Sequence, residues 1–130
     1  MKTTPLKIGK RTFALAFTAD ALADLEETIE NFDIAKVSET TKSMKTLLDV
    51  VTVLAKAGED LEGRTLDVDR RWFGSHISPA PLSVTKVQVA VLNAFAEGFR
   101  MEAETEDDDS EVDVVLEELK KKETDSTGVS

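Results

Sequence analysis

Leu6-Lys7-Ile8-Gly9-Lys10-Arg11-Thr12-Phe13-Ala14-Leu15-Ala16-Phe17-Thr18-Ala19-Asp20 changes its hydrophobic period within one short stretch. Phe13, Leu15 and Phe17 alternate with Thr12, Ala14 and Ala16, the period-2 pattern of a half-buried strand. Gly9-Lys10 supplies a turn between this strand and a shorter one before it. Thr18 can then cap a helix, and Asp20 stands in the first turn, where a carboxylate favours the exposed N–H groups. Over about residues 19–30 the apolar side chains Leu22, Leu25 and Ile29, continued by Phe32, form one stripe, with Asp24, Glu26, Glu27 and Glu30 on the solvent side.

The pattern continues as helix. Ser38 is expected to cap a second helix reaching about Ala57, with Thr41, Met44, Leu47, Leu48, Val51, Leu54 and Ala55 at helical spacing. Gly58 stands where a left-handed residue would end it. Beyond a turn at Glu62-Gly63, Asp67 or Asp69 can cap a short helix through Trp72-Phe73, and Pro79 and Pro81 interrupt any continuation. Ser83 is expected to cap a long helix over about 84–101, apolar on nearly every face, which belongs at the centre of a domain or against a partner.

Past Met101 the composition changes. Residues 102–130 carry 12 acidic and 3 basic side chains, net −9, whereas residues 1–101 carry 14 and 13, net −1. Glu104-Thr105-Glu106-Asp107-Asp108-Asp109-Ser110-Glu111 cannot bury apolar surface and is expected to be a solvated linker. After it, Val112, Val115, Leu116 and Leu119 follow helical spacing, with carboxylates at the start and Lys120-Lys121-Lys122 at the end. So short a helix is marginal alone in water, so the stripe is expected to dock, either on its own body or in a groove of another molecule. The expected fold is therefore mainly α. A short N-terminal β-hairpin and a small bundle of about four helices occupy residues 1–101; an acidic linker and short amphipathic docking helix occupy 102–130.

Several chemistries lack their residues. The chain has no cysteine, and its apolar runs fall short of the roughly 20 residues a membrane span needs. Nucleic-acid binding is disfavoured, because neither part carries the surplus of Lys and Arg that phosphate contacts require. His76, the single histidine, sits beside Ser75 with no orienting third group in the local sequence. Asp107-Asp108-Asp109 and Glu59-Asp60-Leu61-Glu62-Gly63 lack the alternating ligand frame of a calcium loop. No catalytic residue, metal ligand or cofactor is assigned, and an enzyme is not expected. Trp72-Phe73 after Arg70-Arg71 has the composition of an interface anchor and equally of a lid on the core; the scarcity of aromatics favours the core. Candidate partner-binding residues are thus Val112, Val115, Leu116, Leu119, Trp72 and Phe73.

The order of elements resembles a known family. Lys-Ile-Gly-Lys-Arg-Thr-Phe at 7–13 leads into Phe-Thr-Ala-Asp-Ala-Leu-Ala-Asp-Leu-Glu-Glu at 17–27, and the acidic spacer precedes Asp-Val-Val-Leu-Glu-Glu-Leu-Lys-Lys-Lys at 113–122. This layout resembles the tail assembly chaperones of long-tailed bacteriophages, over roughly 6–57 and 84–122; Gly58 to Pro81 matches no family pattern. The resemblance implies a non-enzymatic protein of the host bacterial cytoplasm. It implies self-association and binding of the tape measure protein, a long helical polypeptide kept soluble until the tail tube forms around it. It also implies a frameshift-extended form, for which the lysine codons of Lys120–Lys122 could supply a slippery site. Two alternatives stand beside it: a structural subunit of a phage tail or connector, and an acidic inhibitory or adaptor protein.

Overall fold

Gly9 opens the structure's first turn with φ 62°, while Lys10 keeps a negative φ, the pairing that suits a two-residue hairpin loop with glycine first. The computed structural model describes residues 2–106, with side chains as far as Arg100. Strand β1 (Thr4–Ile8) pairs antiparallel with β2 (Arg11–Leu15), Thr4 opposite Leu15 and Ile8 opposite Arg11. Five helices follow: α1 (Ala19–Thr28), α2 (Val37–Thr40), α3 (Met44–Leu61), α4 (Arg70–His76) and α5 (Pro81–Glu106). The protein is mainly helical behind an N-terminal hairpin, as its periodicities predict. The chain divides into two compact units, Met1–Gly98 and Phe99–Ser130. The expected tail helix carrying Val112, Val115, Leu116 and Leu119 lies outside the described residues.

Local chemistry explains most boundaries. The Thr18 hydroxyl accepts from the Ala21 N–H at 3.1 Å and starts α1 where expected. Leu25 is fully buried beneath it, with Leu22, Ile29 and Phe32 packed around the core. Asn31 takes φ 58°, a conformation its short polar side chain tolerates, and turns the chain into a 3-10 turn at Ile34–Lys36 capped by Asp33.

The second expected helix is divided. The Thr40 and Thr41 hydroxyls turn back onto the Lys36 and Val37 carbonyls, helix ladder gives way after α2, and Ser43 rather than Ser38 caps the main helix. Helix α3 then runs past Gly58 to Leu61, and the left-handed glycine beyond its end is Gly63, φ 77°. Asp69, not Asp67, caps α4 by accepting from the Trp72 N–H at 2.9 Å. Helix α5 begins at Pro81, earlier than Ser83 suggested, because proline's missing N–H costs nothing in the first turn.

Gly58 has a different task from the one its position suggested. A Cβ there would stand 2.0 Å from the Ala14 carbonyl oxygen, so its absence lets β2 lie directly on α3. Two bonds fix that approach: the Ala16 N–H donates to the Leu54 carbonyl at 3.0 Å, and the Ala14 N–H donates to the Glu59 carboxylate at 3.1 Å. The strand alternation is therefore incomplete. Ala14 and Ala16, on the expected solvent side, are buried by α3. Beneath them Phe13, Leu15, Leu25, Leu47, Val50, Val51, Leu54 and Phe73 form the centre of the core, which α5 closes with Val87, Val91, Ala94 and Phe95. The Phe17 and Phe95 rings meet at 4.5 Å, and Gly98 leaves room for the Phe17 backbone.

Glu59 is buried, and it is held as a carboxylate. Arg64 donates to it through Nε at 3.1 Å and Nη2 at 2.8 Å, which outweighs the cost of burial and, with the Ala14 N–H, lowers its pKa. Two outcomes follow from this junction. In a solvated helix, glycine to alanine stabilises by roughly 1 kcal/mol; here Gly58→Ala is expected to destabilise by about 2–4 kcal/mol in urea unfolding, through overpacking against Ala14. Because the Glu59 pKa is lower folded than unfolded, its contribution is full above the unfolded value of about 4.3 and is lost as pH falls through the folded value. Stability of the wild type should thus fall more steeply below that pH than stability of Glu59→Gln, measured by unfolding at successive pH values.

Candidate functional site

Helix α5 is apolar on nearly every face, so the core can cover only part of it. Val87, Ala90, Val91, Ala94 and Phe95 are buried. On the other side Leu82 is 71% exposed, Val89 51% and Leu92 37%, with Thr85 and Ala96 also exposed. Leu61 apart, every large apolar side chain left exposed among the described residues belongs to α5. Positions 82, 85, 89, 92 and 96 alternate steps of three and four, the spacing of a seam that takes another helix alongside. Exposed Lys86 and Asn93 flank it. Isolated exposed apolar residues are ordinary, but a row on one helix marks an interaction surface. The sequence signalled an over-apolar helix; the side left open depends on which residues face Phe17 and α3.

The expected anchor pair separates. Phe73 is fully buried and stacks in tilted geometry on Phe13, ring centroids 5.1 Å apart, so it offers no surface to a partner. Trp72 is half-buried, edge-on to Phe13 at 5.3 Å. The Arg11 guanidinium lies 5.4 Å from the Trp72 ring and 4.7 Å from that of Phe13, held there by a 2.7 Å ion pair with Asp67. That pair lowers the Asp67 pKa through the Arg11 hydrogen bond. Trp72 and Phe73 therefore join the α3–β2 junction to the segment before α4, and only the Trp72 edge reaches solvent.

Ser75 and His76 do not form a nucleophile–base pair. The Ser75 hydroxyl donates to the Arg71 carbonyl at 2.9 Å, and His76 Nδ1 donates to the Trp72 carbonyl at 2.8 Å. The imidazole stacks on the Trp72 indole, centroids 4.0 Å apart. Among the described residues no group of three His, Asp or Glu side chains is placed to hold a metal ion, and no helix is long and apolar enough to cross a membrane. Val112, Val115, Leu116 and Leu119, the remaining candidates for partner binding, lie outside the described residues.

Three shallow grooves differ in charge. One between α1 and α3 is lined by Asp20, Asp24 and Asp60 with Lys56, and one before α4 by Asp67 and Asp69. The third, of about 220 Å³, runs beside β1 and is lined by Lys7, His76 and Lys86 with no carboxylate.

The division between core and surface gives a paired expectation. Phe73→Ala should cost about 3–4 kcal/mol by leaving a cavity, whereas Leu82→Ser should change unfolding free energy by no more than about 0.5 kcal/mol. Urea denaturation of the two variants measures both.

No family model, curated protein or solved structure matches this chain.

Proposed function

We propose that this protein is a tail assembly chaperone of a long-tailed bacteriophage. In this reading it self-associates and binds the tape measure protein in the bacterial host cytoplasm, keeping that helical client soluble until the tail tube forms, with no catalytic step. The observation that carries the reading is the open row on α5, Leu82, Val89, Leu92 and Ala96. Its three–four spacing suits a long amphipathic helix, because each residue meets a hole between side chains of the facing helix. A row of this kind binds many helical segments through shape and burial, with little demand on their polar sequence, as a client of repetitive helical character requires. The net −9 of residues 102–130 supports the same role by keeping loaded complexes apart in solution.

The sequence layout shared with that family adds the client's identity and the frameshift-extended form, in which translation continues past Lys120–Lys122. The test is co-expression with the long helical product encoded downstream. The wild-type chain should raise the soluble fraction of that product severalfold. Leu82→Asp with Val89→Asp should abolish the effect while leaving thermal unfolding of the chaperone near that of the wild type, since these are the two most exposed side chains of the row, at 71% and 51%. Equal client solubility with and without the protein would overturn the proposal.

A further inference from the structure

Lys86 stands between the open row of α5 and the groove beside β1. It follows Leu82 by four residues and precedes Val89 by three, so on a helix it borders both. It is exposed, and it also lines the groove with Lys7 and His76, where no carboxylate is present. Between Pro81 and Ala96 it is the only charged residue. The opposite border, beside Thr85 and Leu92, differs. There Gln88 is half-buried, and its amide donates to the carbonyl of buried Thr41 at 3.2 Å. The row is therefore apolar at its centre, basic along one border and neutral along the other.

We infer that Lys86 is a specificity-determining residue of this row, and that the client helix it favours carries carboxylates along one border of its apolar stripe. The inference rests on the reading of the row as the client surface, and names the chemistry of the client there. Burial of the row supplies the affinity; charge pairs at an exposed border add little to it and discriminate among helices of similar shape. Two other occupants fit this border less well. A second copy brings the same row, whose one charge between Pro81 and Ala96 is another lysine. The chain's own stripe, Val112, Val115, Leu116 and Leu119, has at helical spacing Lys120 beside Asp113 on one border and Lys122 beside Glu118 on the other. Neither of its borders is acidic throughout.

Two labelled helical peptides with the same leucine stripe at three–four spacing make the test. One carries glutamates along one border of the stripe, the other lysines at the same places. Fluorescence anisotropy with the full-length protein at physiological salt measures both affinities. The glutamate peptide is expected to bind about fivefold more tightly, although the net charge of −10 favours the lysine peptide at long range. Lys86→Glu, first shown to unfold at the wild-type temperature, should reverse the order. Lys56→Glu, in the groove between α1 and α3, should leave it unchanged. Salt at 1 M should bring the two affinities together without abolishing binding, since burial is not screened. Equal affinities at physiological salt, or tighter binding of the lysine peptide, would overturn the inference. So would a tenfold gain for both peptides after Val115→Ser with Leu119→Ser, which would put the chain's own stripe on the row. A dimer that takes neither peptide and is dissolved by Leu82→Asp with Val89→Asp would overturn it too. Equal peptide affinities leave the solubility result standing, whereas unchanged client solubility with the peptide order intact overturns the chaperone reading alone.

Discussion

The close approach of Ala14 to Gly58 is the constraint on which the rest of the fold depends. A two-stranded hairpin alone is marginal in water, because it has two open edges and one apolar face. Here one edge is sealed by a helix instead of a third strand. Gly58 removes the Cβ that would hold the backbones apart, the Leu54 carbonyl takes the Ala16 N–H, and Glu59 takes the Ala14 N–H. The carboxylate can do this while buried because Arg64 holds it in a two-pronged bond from the solvent side. A neutral side chain at position 59 would offer the same N–H a weaker, uncharged acceptor. Helix α3 thus works as the neighbour of β2 on one side and of α1 and α4 on others, which explains why its buried residues occupy so wide an arc.

That arrangement leaves an asymmetry with consequences beyond stability. With β2 closed by α3, the hairpin's remaining hydrogen-bonding edge is β1, blunted by Pro5 and by exposed Lys7. The same logic applies to α5. Its inner arc meets Phe17 through Phe95 and Gly98 and joins the common core, and Leu82, Val89 and Leu92 on the outer arc stay exposed. Among the described residues both open surfaces go with a small number of elements: a hairpin and five helices, two of them under eight residues, leave part of a helix that is apolar all round uncovered.

Local signals carried the architecture and long-range ones did not. The period change after Phe17, the Thr18 cap and the capping aspartate before Trp72 each act within a few residues, so the sequence displays them directly. Gly58 was misleading for a physical reason: a glycine late in a helical pattern has the same local appearance whether it ends the helix or admits a distant strand. Only the partner, forty-four positions earlier at Ala14, distinguishes the two. The Glu59–Ala14 bond is hidden in the same way. Within the candidate surface, the excess of apolar residues in α5 was visible, but which of them face outward is set by the helix's rotation against Phe17 and Phe95. Trp72-Phe73 shows the reverse case, where adjacent residues on α4 point in different directions and a shared hot-spot composition divides into one core ring and one surface edge.

Exposed apolar surface and net charge work against each other in this chain. A helix row such as Leu82, Val89 and Leu92 promotes association with any apolar surface, and the body, at net −1, offers little repulsion to limit it. Spreading carboxylates across α5 would restore solubility and destroy the row. Concentrating the charge in residues 102–130, apart from the body sequence, avoids that conflict: repulsion between molecules acts over about a Debye length, whereas burial acts only on contact. Approaching copies are therefore slowed at long range without weakening the surface that binds at short range.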